Sequence, residues 1–260
     1  MADSSSGKPL GQGYPHCRTQ ARGCPPMDEH SPTAGAESAA LVQVIAEIGC
    51  NHRGDLATAL EMVRVAAACG ADIVKFQKRT PRELLSPAQF ARPHPEPTHA
   101  YGPSYGAHRE ALELDATAHA HLAAACARAG VAYSTSVWDM TAAREMAALA
   151  PPMLKIPSAA NQNFALQAWL CDHFGGEIHA STGMTTRAET EALVAFYTRR
   201  GRARDLVLYA CTSGYPVAFE DVCLYEIAHL METYGRDVRG IGFSGHHLGG
   251  AADIAALAVG

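Results

Sequence analysis

The sequence predicts an α/β fold of the (β/α)8 TIM-barrel type, incomplete, with seven β-α units in 260 residues. Three observations carry that expectation. The stretch 44–77 reads as one β-α-β unit, short apolar runs alternate with helical patterns along the rest of the chain, and the length and 48% hydrophobic content suit a single large core. Barrels of this class run to about 250 residues as one domain.

In the first unit, Val44, Ile45 and Ile48, and then Ile73, Val74 and Phe76, form runs too short for helices. They bracket a helix-period pattern at Leu56, Leu60, Val63 and Ala67. Asp55 is expected to cap that helix and Gly70 to end it. Glu47, Lys75 and Gln77 fall at or near the C-terminal ends of the strands, the edge at which helix-covered parallel sheets bind ligands.

Strands are expected over 42–48, 71–77, 131–137, 153–158, 177–182, 206–212 and 240–244. Helices are expected over 55–69, 116–129, 140–150, 164–173, 185–199, 220–234 and 250–259. Strict alternation of this kind points to a parallel sheet, and the absence of a visible break in strand order favours a barrel. A closed barrel needs an eighth strand. Nothing in 1–40 supplies one and the chain stops at Gly260, so open edges, or their covering by a partner chain, are expected. The connection 79–115 breaks the rhythm and reads as a lid or binding loop, with His94, His99 and His108 inside it.

Residues 1–40 are rich in Ser, Gly and Pro without periodicity and are expected to be a disordered extension, with Met27 as an alternative start; 41–260 is expected to be the catalytic domain. A net charge of -5 leaves no basic footprint for nucleic acid or an anionic membrane. No apolar run approaches the roughly 20 residues of a membrane span, no secretory signal is visible, and a cytoplasmic location follows. Cys50, Cys69, Cys126, Cys171, Cys211 and Cys223 fall one at a time within the expected elements and turns and read as small buried hydrophobes. Cys17 and Cys24, near His16 and His30, match no metal-ligand spacing.

The polar residues at the strand ends form one set: Glu47; Lys75 and Gln77; Thr135 and Ser136; Lys155 and Ser158; Ser181 and Thr182; Thr212 and Ser213; Ser244 and His246. A barrel gathers them at one mouth. Only four of the 21 basic residues are lysines, and two of those, Lys75 and Lys155, stand here among hydroxyls. Compact positive charge with hydroxyl donors makes a pocket for phosphate or carboxylate. Taken singly, each Ser or Thr could equally cap the helix that follows it.

The segments IAEIGCNHRG, ADIVKFQ, YSTS, LKIPSA, STGM, CTSGYP followed by FEDV, and GFSGHH, in that order, resemble the sialic acid synthase (N-acetylneuraminate synthase) family over residues 42–260. The resemblance implies a (β/α)8 barrel followed by an antifreeze-like domain, a domain-swapped homodimer, and a divalent metal, Mn2+ or Mg2+. It implies condensation of phosphoenolpyruvate with the aldehyde of an N-acylmannosamine-type sugar. It further implies catalytic roles for Glu47, Lys75 and Lys155, with Lys75 on the phosphoenolpyruvate carboxylate and Thr135, Lys155, Ser158, Ser181, Ser213 and Ser244 around its phosphate. Gln77 and Tyr215 would meet the sugar, and His246 would be one metal ligand.

Three departures qualify it. Ala160 stands where the family usually has a carboxylate that contacts the amino sugar, and neither the eighth strand with its second metal histidine nor the antifreeze-like domain is within these residues. His247, next to His246, is expected to point the other way. Two alternatives stay open: a Schiff-base aldolase using Lys75 or Lys155, and a catalytically impaired barrel that only binds phosphosugars.

Overall fold

A computed structural model describes residues 42–260, so the expectations for 1–40, Met27 and the Cys17/Cys24 pair lie outside the described residues. Within it the chain runs β1 (Ile45–Gly49), α1 (Leu56–Ala68), β2 (Ile73–Lys78), α2 (Pro81–Leu84), α3 (Pro87–Ala91), α4 (Tyr105–Ala111) and α5 (Ala116–Ala129). It continues β3 (Ala132–Val137), α6 (Met140–Ala147), β4 (Met153–Ile156), α7 (Phe164–His173), β5 (Glu177–Ser181) and α8 (Arg187–Arg199). The last units are β6 (Leu206–Cys211), α9 (Tyr225–Tyr234), β7 (Gly240–Ser244) and α10 (Ala251–Val259). Among the described residues, no helix is long and apolar enough to cross a membrane.

The strands form one parallel sheet in sequence order, β1 to β7. One contact shows that it curls. β4 and β7 are three strand spacings apart, about 14 Å in a flat sheet, yet Lys155 Nζ on β4 donates to Ser244 Oγ on β7 at 3.1 Å. The sheet therefore bends round a lumen in the manner of a TIM barrel, open between β1 and β7 in the described residues.

Register divides the side chains into an inner and an outer set. Lys75 is level with Glu47 and Ser134, and Gln77 is level with Ser136, which is level with Lys155 and, through it, His179. Because neighbours in register share a face, these line the lumen. The alternate positions Val74, Phe76, Leu154, Ile156, Ile178, Leu206 and Leu208 are buried at 5% exposure or less against the helices. Each such aliphatic side chain contributes about 1.5–3 kcal/mol.

Helix starts follow the expected chemistry. Asp55 accepts from Thr58 N at 2.7 Å, Asp115 from Ala118 N at 2.8 Å and Asp139 from Ala142 N at 2.7 Å, while Gly130 closes α5 at φ 74°. The structure differs from the expectations in four places. The connection 79–115 carries three short helices, α2 to α4, docked by the Arg79–Glu113 ion pair and by Asp139, which accepts from Thr80 N at 2.6 Å. The helix expected over 220–234 is a 3-10 turn, Phe219–Asp221, followed by α9. Cys69 and Cys223 are exposed rather than buried. His247 lies beyond the end of β7, with Nε2 3.2 Å from Asp253 on α10.

Candidate active site

The lumen holds Lys75 and Lys155, both buried, with 5% and 7% exposure. Lys75 Nζ is salt-bridged to the Glu47 carboxylate and lies 3.3 Å from Ser136 Oγ. Lys155 Nζ bonds Ser244 Oγ and sits 4.3 Å from the Tyr209 ring centroid. Burial pushes Lys155 down to about 8. Burial also holds Lys75 well below the usual lysine range, and the Lys155 charge adds to the effect. Two cations that repel each other inside a low-dielectric lumen bind an anion strongly, because the ligand restores the charge balance that desolvation removed.

Beside Lys155 is a cradle of small donors. Ser158 Oγ is 2.8 Å from Ser181 Oγ and 3.7 Å from Cys211 Sγ. Gly183 follows β5 with its backbone pressed between them: a Cβ there would lie 2.4 Å from Ser158 Oγ and 2.5 Å from Ser213 Oγ. Asn161 fixes this turn by donating to Ser181 O at 2.9 Å and Gly183 O at 3.0 Å. A cavity of about 460 Å3 lies alongside, lined by residues that include Thr182, Arg187, Cys211 and Ser213. Neither lysine lines it.

The expected residues converge with one exception. Lys75, Glu47, Lys155, Ser158, Ser181, Ser213 and Ser244 belong to the lumen and cradle just described. Thr135 does not: it is level with Phe76 and Leu154, which pack against the helices, and its hydroxyl donates to Ser136 O at 3.5 Å. Ser136, one residue on, takes the inward position, as the alternation of a strand requires. Gln77 is inward and its Oε1 lies 3.8 Å from Cys50 Sγ, while Tyr215 is exposed at the mouth with its ring 4.4 Å from His246.

Cys211, expected to be a small buried hydrophobe, is only partly buried and stands in the cradle. Burial pushes its thiol up, yet bonds with His246, Ser181 and Ser158 outweigh burial and bring it to about 7. The same Cys211 contact raises His246, against the effect of burial. Below them, His179 Nδ1 and Tyr209 Oη are 2.8 Å apart, and His179 Nε2 is 3.2 Å from Glu177, so a buried polar chain supports the Lys155 ammonium from beneath.

His246 Nδ1 is 3.1 Å from Thr212 O and 3.9 Å from Cys211 Sγ. Among the described residues, no three His, Cys, Asp or Glu side chains gather as a metal site. The donors present therefore do not complete one for Mn2+ or Mg2+, nor do His94 and His108, whose rings are 4.2 Å apart in the lid.

Residues 62–260 match the family model described as the NeuB family. The chain is 34% identical over 223 residues to the N-acetylneuraminate-9-phosphate synthase of Drosophila melanogaster, covering 84% of this chain and 58% of that protein. It is 31% identical over 218 residues to the N,N'-diacetyllegionaminic acid synthase of Campylobacter jejuni, covering 84% and 64%. Among solved structures, the N-acetylneuraminic acid (sialic acid) synthetase of Leptospira borgpetersenii, in complex with citrate, superposes with a TM-score of 0.72 at 25% identity, covering 84% of this chain and 70% of that one. The chain spans about three fifths of the length of the curated relatives it matches.

Proposed function

The chain belongs to the NeuB family, and on that premise we propose that residues 41–260 are a cytoplasmic catalytic domain condensing phosphoenolpyruvate with an N-acylmannosamine-type sugar and releasing phosphate. The observation that carries the reading is the pair of buried ammonium groups, Lys75 and Lys155, in one lumen beside a serine cradle.

In this reading Lys75, with Ser136, holds the carboxylate of phosphoenolpyruvate. Lys155, Ser158, Ser181, Ser213 and Ser244 hold its phosphate through charge-assisted bonds. Gln77 and Tyr215 hold the open-chain sugar at the mouth. C3 of phosphoenolpyruvate attacks the aldehyde carbon to form the new C–C bond, and the aldehyde oxygen takes a proton. Water then adds at C2, and inorganic phosphate leaves with cleavage of the C–O bond, giving a 2-keto acid. We assign Glu47, 46% exposed at its side chain, to orienting that water and taking its proton.

Calorimetric titration with phosphoenolpyruvate tests the donor site. Lys155→Ala is expected to lose at least tenfold in affinity, and phosphate release is expected to need both substrates together. Equal affinity in Lys155→Ala and the parent chain defeats the reading. A second reading is favoured by the low Lys155 pKa of about 8, which leaves part of the amine free as a nucleophile. Borohydride with a keto acid would then trap a covalent adduct on Lys155; the condensation forms none.

A further inference from the structure

The two buried lysines are balanced in different ways. Lys75 is salt-bridged to Glu47, whereas among the described residues no carboxylate pairs with Lys155. Lys155 Nζ instead has Ser244 Oγ on one side and the face of the Tyr209 ring on another, 4.3 Å from the centroid. An ammonium carries three N–H bonds, so a direction is left for a ligand. The ring face is electron-rich and stabilises a cation withdrawn from water. Unlike a carboxylate, it offers no anion for an incoming phosphate to displace.

The ring is fixed at both its edge and its phenol end. Tyr209 is level with Gly242 on β7, so the two share the inner face. A Cβ at Gly242 would lie 2.8 Å from Cε1 of the ring and 3.0 Å from Cζ, and a side chain there would displace it. At the other end Tyr209 Oη is 2.8 Å from His179 Nδ1, His179 Nε2 is 3.2 Å from Glu177 Oε2, and Glu177 Oε1 is 2.9 Å from Arg239 Nη2. Burial keeps the phenol protonated and holds His179 below the ordinary histidine range. With Glu177 taking the Nε2 proton, Nδ1 is left to accept from the phenol. A carboxylate at the end of such a chain polarises each bond in it and leaves the ring richer in electrons. The condensation as written above uses none of Tyr209, His179 and Glu177.

We infer that Tyr209 is a positioning residue for Lys155, its ring holding the ammonium beside the serine cradle, and that Glu177 strengthens this hold through His179. The inference rests on the reading that Lys155 grips the phosphate of phosphoenolpyruvate. Tyr209 acts through Lys155 and takes no part in the reaction itself. Phosphate then gains the full charge of Lys155 without competing against an internal carboxylate, whereas the ligand's own carboxylate shares Lys75 with Glu47.

The test is calorimetric titration with phosphoenolpyruvate and, separately, with inorganic phosphate, with a melting curve for each variant. Tyr209→Leu is expected to weaken both ligands by about tenfold or more. Tyr209→Phe, which keeps the ring face and gives up the hydroxyl, is expected to stay within about threefold of the parent chain. Glu177→Gln is expected to weaken both ligands about two- to threefold in the parent chain and not at all in Tyr209→Phe, where the chain that carries its charge is already cut. A role in packing alone would lower the melting temperature of Tyr209→Leu and leave affinity as it was. That result, equal weakening in Tyr209→Leu and Tyr209→Phe, or an equal effect of Glu177→Gln in both backgrounds overturns the inference while the donor site stands. Should Tyr209→Leu not fold, the Glu177→Gln comparison decides alone. Failure of the parent chain to bind phosphoenolpyruvate, or unchanged affinity in Lys155→Ala, overturns the underlying reading, and this one with it.

Discussion

At the scale of single residues, Lys155 and Cys211 make proton movement the most direct report of ligand binding. Lys155 is held at about 8 by burial, and Cys211 is brought to about 7 by its neighbours. A bound phosphate favours the ammonium and disfavours the thiolate, so both groups take up protons on binding. At pH 8 calorimetry in buffers of different ionisation enthalpy should show net uptake, and at pH 6, where both groups are already protonated, uptake should vanish. Proton release at pH 8 would contradict the assignment. In the free chain the sign for folding follows from the same shift. The folded pKa of Lys155 lies below the ordinary 10.5, so the unfolded chain binds more protons and this lysine's contribution to stability rises between pH 8 and 10.5. The lysines and serines of the site were legible in the sequence because strand ends can be read from apolar runs. Thr135 and Ser136 show where that reading stops: which of two adjacent hydroxyls faces inward depends on register, and register is fixed by pairing with β2 and β4 rather than by the segment itself.

Among the elements, α5 and α7 matched their expected bounds: Asp115 and Gly130 mark the two ends of α5, and Asn163 caps the start of α7 by accepting from Leu166 N at 3.1 Å. The lid helices were not legible. Pro81, Pro87, Pro93, Pro95, Pro97 and Pro103 punctuate the segment, and helices of four to seven residues are too short to show a period. They exist because tertiary anchors hold them. Asp139, 2% exposed, caps α6 and at once accepts from Thr80 N and from Thr80 Oγ1 at 2.9 Å. Asp139→Ala should therefore cost about 3 kcal/mol, more than a cap alone, because a lid donor is stranded as well. Urea unfolding measures it, and a loss below about 1 kcal/mol would show that the anchor contributes little.

For the molecule as a whole, stability and chemistry are divided between the two faces of one sheet. The outer face is apolar and sealed by helices; the inner face carries charge and hydroxyls. Leu208→Ala, fully buried behind β6, should lose about 2–5 kcal/mol of stability. It should leave phosphoenolpyruvate affinity unchanged in the fraction that stays folded, as a melting curve paired with a titration would show. A comparable loss of affinity would mean that packing behind the strands sets the geometry of the lumen. The lid adds a further division. Its first residue, Arg79, is bonded through both backbone and side chain to Glu113 near its last, so the excursion between them leaves and returns at one riveted point. Lengthening or exchanging the intervening stretch then costs little closure entropy and disturbs no strand. The stretch between Arg79 and Glu113 can accordingly drift over evolutionary time, or be grafted from one chain to another, while the inward lysines and serines of the strands stay as they are.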